Sequence, residues 1–257
     1  MKKAFPFFAS ACLLAGSLFC NAQERGLAFG VKAGLSVSSF SGRIGNFNGF
    51  STPWEAHQRY APEIGLLARY RLHPVFALQA EVLYSLKGGA YRLKNNAVVT
   101  QTNQGFESAY FYKNYRVNYL ELPLTAQLDV SRLLNPNADP RRLHVVLEAG
   151  AAPALATGST LRENDYSIGS GVGLVNANEN WTVTAMPYAR PFQLMPLAGV
   201  LLGVDSGPFI SVRYSQALAN VYTISKLDGY WNMNTGMHTV TVSLGTRFNW
   251  EKLVQRL

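Results

Sequence analysis

The sequence predicts an all-β fold: one up-and-down barrel of eight antiparallel strands that crosses a membrane, with ten strands as the alternative count. Three observations predict it. First, segments such as HTVTVSLGTRFNW (238–250) alternate strictly. Val240, Val242, Leu244, Phe248 and Trp250 share one parity; Thr239, Thr241, Ser243, Gly245, Arg247 and Asn249 share the other. A period of two is the signature of a strand with two unlike faces. Second, the connections between such segments alternate between short and long. Third, no stretch beyond the N-terminus has the ~20 consecutive apolar residues of a membrane helix, so any crossing is made by strands. Charged residues make up 15% of the 257-residue chain, while aromatic residues make up 12% and glycines number 22. Soluble domains carry about 25% charge.

Residues 1–22 read as a signal peptide and 23–257 as the barrel domain. Lys2 and Lys3 form a basic start, AFPFFASACLLAGSLF an apolar middle, and Cys20-Asn21-Ala22 a run of small residues suited to cleavage after Ala22. Lipid anchoring through Cys20 is disfavoured by the bulky Phe19 before it. Cys12 and Cys20, the chain's two cysteines, leave with the signal, which excludes disulfides and thiol chemistry afterwards. Removal of Lys2 and Lys3 lowers the formal charge of +8 by two. The remaining basic excess suits either anionic lipid headgroups or simple solubility.

Strands are predicted at 26–38, 62–72, 75–88, 114–129, 142–156, 194–204, 208–217 and 237–250. The short connections are Leu72-His73-Pro74, 131–141 and Asp205-Ser206-Gly207; the long ones are 39–61, 89–113, 157–193 and 218–236. Short turns on one side and long loops on the other are the pattern of outer-membrane barrels, which places the termini in the periplasm and the long loops outside. A further strand pair around WTVTAMPYAR, inside 157–193, would make the count ten.

The faces follow from composition. Leu27, Phe29, Val31, Ala33 and Leu35 oppose Gly30, Lys32, Gly34 and Ser36; Ile210, Val212 and Tyr214 oppose Ser211, Arg213 and Ser215. Glycines recur beside single charges: around Lys32, after Glu148 and before Arg247. Glycine weakens a strand and needs a reason, and a crowded, curved interior supplies one. The apolar row is therefore assigned to lipid and the polar row to the hollow. Strand four breaks the pattern. Leu120, Leu122, Leu124, Ala126 and Leu128 form one row, whereas Tyr115, Val117 and Tyr119 sit on the opposite parity. A bulge near Tyr119-Leu120 would slip the phase by one, and Pro123 predicts a further irregularity. Strand six, LMPLAGVLLGV, is apolar on both faces.

Three blocks resemble the PorT-like outer-membrane β-barrel family: FGVKAGLSVSSFSG after a signal ending in NAQ, LQAEVLYSLKGGAY at 78–91, and NYLELPLTAQL at 118–128. The resemblance implies a small barrel in the outer membrane of Gram-negative bacteria related to those running type IX secretion, with a role in that secretion for the family's namesake. The chain departs from the usual outer-membrane pattern in following Phe248 and Trp250 with EKLVQRL. Either a short tail follows the last strand, or that strand runs further.

The main chemical constellation is a set of charges on inward parities: Lys32, Arg69, Arg71, Arg213 and Arg247 with Glu81, Glu121, Asp129 and Glu148. Lone charges in a packed interior are strongly unfavourable, so a paired network is expected. An eight-strand barrel is just wide enough for side chains to fill, so the network reads as a plug, with a narrow ion or proton path as the alternative. A lipid-modifying enzyme would need a nucleophile or base at the outer rim, where His57 and His238 stand with Ser51, Glu55 and Ser108 nearby; no spacing marks a triad. GSGVGL (169–174) lacks the strand-to-helix context of a phosphate loop. Glu163, Asn164, Asp165, Asn176, Asn178, Glu179 and Asn180 read as solvated loop residues rather than a calcium site. The sequence predicts no cofactor, metal or nucleic acid. It predicts a monomer that contacts outer-membrane lipid and lipopolysaccharide, with envelope or secretion-complex proteins as partners of loops rich in Asn, Gln and aromatics. A lipocalin-like soluble periplasmic barrel, with its apolar rows turned inward, is the remaining alternative.

Overall fold

The computed structural model describes residues 26–41, 54–102, 105–135, 143–164, 181–185, 189–221 and 236–249. The signal segment 1–22, Ser51, the glycine-rich 169–174 stretch, Asp165, the acidic and amide residues at 176–180, Trp250 and the EKLVQRL tail lie outside them.

The strands are β1 (Leu27–Phe40), β2 (Trp54–His57), β3 (Arg59–His73), β4 (Phe76–Thr102), β5 (Gly105–Glu121), β6 (Leu124–Asp129), β7 (His144–Asn164), β8 (Trp181–Ala185), β9 (Phe192–Gly203), β10 (Pro208–Gln216) and β11 (Met237–Asn249), with a one-turn helix α1 (Val130–Leu134) after β6. All pairings are antiparallel. β1 pairs with β3 and with β11, which closes the ring β1-β3-β4-(β5, β6)-β7-β9-β10-β11. β5 and β6 form one stave, so the ring has eight, one for each predicted strand. β8 occupies the region that raised the ten-strand count, yet it pairs only with the far end of β7 and does not enter the ring. β2 likewise pairs only with β4, at Leu93–Ala90.

The structure corrects the reading in three places. β7 runs on into the expected connection 157–193 as far as Asn164, so Glu163 and Asn164, expected in a loop, are strand residues paired with β5 and β8. The expected long connection 89–113 is mostly strand: β4 and β5 pair from Leu83↔Glu121 to Thr102↔Gly105. Its polar composition resembles a loop because neither face of that extension is cast for lipid. The expected phase slip at Tyr119-Leu120 is absent. Residues 115, 117, 119, 121, 123, 125, 127 and 129 are all buried, so one parity runs inward from Tyr115 to Asp129. The irregularity falls on the neighbour instead, where Asn118↔Gly158 is followed by Tyr119↔Ala156. The break at Pro123 is present: Leu122 and Pro123 interrupt the stave, and the Leu122 N–H donates to Pro153 while the Pro123 carbonyl accepts from Glu81 N–H at 2.9 Å.

Outward residues form an apolar belt. Val31, Leu35, Ile64, Leu66, Val82, Leu124, Val200, Val212, Val242 and Leu244 are exposed, and Leu66 keeps 63% of its surface open. A soluble protein would not leave so large a patch uncovered. Tyr60, Phe192 and Tyr214 flank the belt toward the long connections, and Phe76 and Phe248 toward the short turns. Aromatic girdles at both edges of an apolar band are the mark of a barrel seated in a bilayer.

Candidate functional site: a barrel interior packed in layers

Inward side chains fill the hollow in layers. The central layer is built on Arg213, which β10 directs across the ring to the opposite stave. Its Nη1 donates to Glu81 Oε2 at 2.7 Å and its Nη2 to Glu81 Oε1 at 2.5 Å. The same guanidinium donates through Nε to Glu148 Oε1 and through Nη2 to Glu148 Oε2 at 3.0 Å. One planar cation is thus held between carboxylates from β4 and β7, the fork geometry in which Arg pairs most strongly. Lys32 Nζ lies 3.0 Å from Glu81 Oε2 and 3.5 Å from Glu63 Oε1, and Ser243 Oγ donates to Glu63 at 2.9 Å. Gln79 donates to Glu81 at 2.5 Å and Gln127 to Glu148 at 3.2 Å. These amides occupy lone pairs that buried carboxylates would otherwise leave unmatched.

Glycines make this crowding possible. A Cβ on Gly199 would stand 2.6 Å from the Val212 carbonyl oxygen, 2.9 Å from Arg213 Cγ and 3.1 Å from Glu148 Oε1. One on Gly245 would meet the Phe209 ring at 2.3 Å. The glycines beside the charges therefore serve both close backbone approach and side-chain room.

Toward the long connections, Lys87 pairs with Glu121 at 2.7 Å, and Ser85 also donates to Glu121. Beyond this pair the interior turns apolar: Phe40, Tyr91, Val117, Tyr119, Met195 and Leu197 belong to one buried cluster. The rings of Phe40 and Tyr91 stack at 5.6 Å. This layer explains two features that looked anomalous in the sequence. Tyr115, Val117 and Tyr119 are interior residues, and strand six is apolar on both faces because Met195 and Leu197 point inward here and Leu201 points inward nearer the short turns.

Toward the short turns lies a small apolar layer of Leu67, Val146, Leu201 and Phe209, and then a charged rim. Arg69 stands 3.5 Å from Asp205, and Arg71 and Arg132 also donate to that carboxylate. Asp129 caps α1 by accepting from Arg132 N–H at 3.0 Å and lies 3.1 Å from His144 Nδ1. Burial alone would raise the Asp205 pKa. The hydrogen bond from Arg71, with the charges of Arg71, Arg132 and Arg69, outweighs it and holds the carboxyl below its ordinary value of 3.8. A carboxylate lowered in the folded state stabilises fully above its unfolded pKa and loses that contribution as pH falls through the folded one. The unfolding midpoint of Asp205→Asn in detergent is therefore expected to lie below that of the parent at neutral pH, with the gap closing as pH drops below about 3.8. A gap that is constant down to pH 2 would contradict this clamp.

Lys32, Glu81, Glu148 and Arg213 share the central network; Glu121 pairs one layer away with Lys87; Arg69, Arg71 and Asp129 belong to the rim. Arg247 is buried but has no carboxylate partner among the described residues; its guanidinium lies 4.5 Å from the Phe209 ring centre. Sequence reasoning missed Glu63, Lys87, Arg132 and Asp205 as members. Parity alone places Glu63 with Arg69 and Lys87 with Glu81. Nothing local marks Arg132 or Asp205, which come from the helix and a turn. His57 lies on β2 opposite Ala90, and His238 on β11 opposite Ser39 and Gln216. No group of three or more His, Cys, Asp or Glu suited to a metal ion occurs among the described residues.

The pattern that defines the family described as "Outer membrane protein beta-barrel domain" matches residues 21–223. No curated protein matches the chain. Among solved structures, Neisserial surface protein A (NspA) is similar at 13% identity and a TM-score of 0.36, over 87% of this chain and 99% of that one. OprG from Pseudomonas aeruginosa is similar at 10% identity and a TM-score of 0.36, over 88% and 97%. The outer membrane protease OmpT from Escherichia coli is similar at 9% identity and a TM-score of 0.41, over 88% and 97%. At such identities the activities of those proteins do not transfer.

Proposed function

Because the chain belongs to the outer membrane protein beta-barrel domain family, we propose that it is a closed, non-conducting barrel of the PorT-like type. It works as a structural and interaction protein of the outer membrane and is not an enzyme. The observation that carries this reading is the clamp of Arg213 between Glu81 and Glu148, which ties opposite walls of the ring across the hollow. A space beside it, bounded in part by Lys32, Glu63, Lys87, Glu121 and Arg213, is a cavity of about 20 Å³. That is roughly the room of one water molecule. With the hollow filled, what the barrel offers to its surroundings is its two ends and its lipid face. The termini and short turns lie in the periplasm. The long connections, carried outward on the β4–β5 hairpin, meet lipopolysaccharide and partners in an envelope assembly, including a secretion complex. The barrel acts as a monomer.

The test is electrical. In planar bilayers the purified protein is expected to give no steady step on the nanosiemens scale. A stable step of that size would contradict the closed interior. Crosslinking in intact cells, followed by identification of captured envelope proteins, tests the interaction role. Recovery of secretion components would support the secretion link, and their absence among reproducible partners would remove it.

A further inference from the structure

The short-turn rim gathers more positive charge than its own carboxylates match. Arg69, Arg71 and Arg132 converge on the single carboxylate of Asp205. The rim's other carboxylate, Asp129, accepts from the α1 backbone, lies 3.1 Å from His144 Nδ1 and faces Arg132 Nε at 3.6 Å, so it is fully engaged and does not reach Arg247. Arg247 brings a fourth guanidinium. It is 2% exposed and lies over Phe209, and its Nε and Nη2 have no acceptor among the described residues. Nε of Arg71 is buried and unmatched as well. Glu148, Asp205 and Glu81 act on Arg247 electrostatically, but the two glutamates are committed to Arg213 and Asp205 to Arg69, Arg71 and Arg132, and none of the three pairs with it. The face of Phe209 offsets part of the charge and none of the N–H groups. Buried donors without acceptors are unfavourable and are uncommon in folded proteins, so their clustering here needs an explanation.

We propose that this rim is a binding site for a phosphate-type oxyanion, and that Asp205 holds part of the site as an internal placeholder. Guanidinium forks recognise tetrahedral oxyanions through paired N–H donors, and several of the forks here are half used. The turn that carries Asp205 is built against the same arginine, since the Gly207 carbonyl accepts from Arg247 N–H at 3.0 Å. Asp205 and Arg71 keep 12% and 26% of their side-chain surface open, so the site is reached from the aqueous end of the barrel. It stands apart from the long-connection surface and from conduction. Both a dissolved phosphate or phosphate ester and the phosphate of a lipid headgroup present the required chemistry.

The experiment uses the full barrel folded in zwitterionic micelles at neutral pH. Inorganic phosphate is titrated against chloride at equal ionic strength, with calorimetric heat and the unfolding midpoint as readouts. Phosphate is expected to bind and to raise the midpoint where chloride does not. Arg247→Gln is expected to weaken binding about tenfold or more, and Asp205→Asn to tighten it by about tenfold, because the competing carboxylate is gone. If Arg247→Gln does not fold, Arg71→Gln at the more open edge takes its place with the same expectation. Short-chain phosphatidic acid and phosphatidylcholine added to the micelles separate the sources. A stronger response to phosphatidic acid than to equal free phosphate assigns the site to a lipid headgroup; an equal or weaker one assigns it to dissolved phosphate. The proposal is overturned if phosphate and chloride act alike on both the parent and Asp205→Asn. It is equally overturned if the folded arginine variant binds phosphate as the parent does.

Discussion

Arg213→Ala is expected to destabilise the folded barrel by about 3–5 kcal/mol, the usual penalty for removing one member of a buried ion pair. The cause is specific. With the guanidinium gone, Glu81 retains Lys32 at 3.0 Å and Gln79, whereas Glu148 retains, among the described residues, only Gln127 at 3.2 Å. Two carboxylates on staves that flank β6 would then share a space from which water is largely excluded. Such a loss is a large fraction of the ~5–15 kcal/mol that holds an ordinary domain together. It would appear in urea titrations of the vesicle-inserted protein and as lost heat-modifiable migration on gels. The triple variant Arg213→Met, Glu81→Gln, Glu148→Gln should recover most of the stability, because a neutral, well-packed replacement of a buried ion cluster is often tolerated. An Arg213→Ala protein that unfolds at the parent's urea concentration would show that the network does not brace the ring.

Val242→Arg is the second large effect, expected at about 2–4 kcal/mol in lipid vesicles. Val242 faces outward on β11, 45% exposed, and pairs with Leu35 on one side and Val212 on the other. These partners put it within the apolar belt, away from both aromatic edges. Phe248→Arg, six residues on at the short-turn edge, should be much milder, about 0–1 kcal/mol from charge placement near an interface. The depth dependence is the informative part. Equal effects at the two positions would argue against a bilayer around this face, and a neutral Val242→Arg would argue more strongly still.

Much of the architecture is legible because alternation is a local property. Each residue of HTVTVSLGTRFNW reports its own face, and the eight predicted segments coincide with the eight staves of the ring to within a few residues at most ends. The inward charges were legible for the same reason. Three things were not. An apolar side chain facing the hollow looks the same in sequence as one facing lipid. Tyr115, Val117 and Tyr119 therefore suggested a slipped phase, when they build an apolar layer with Met195 and Leu197. The β4–β5 extension stabilises itself by mutual pairing, and its polar residues carry no two-faced pattern to betray a strand. The rim clamp joins Arg69, Arg71, Arg132 and Asp205, which meet only when turns at three separate points of the chain are brought to one end of the ring. Spacing along the chain holds no trace of that meeting.

The central claim is that hydrocarbon covers the outward rows while charges fill the hollow. Single-cysteine spin labelling in vesicles tests it most directly, because Cys12 and Cys20 both lie in the segment read as the signal and the rest of the chain supplies a clean background. Labels at Val242 and Leu244 are expected to be readily relaxed by dissolved oxygen and shielded from an aqueous nickel chelate, and a label at Thr241 to be reached by neither. Labels at Val242 and Leu244 that the aqueous chelate relaxes more strongly than oxygen does would contradict the account.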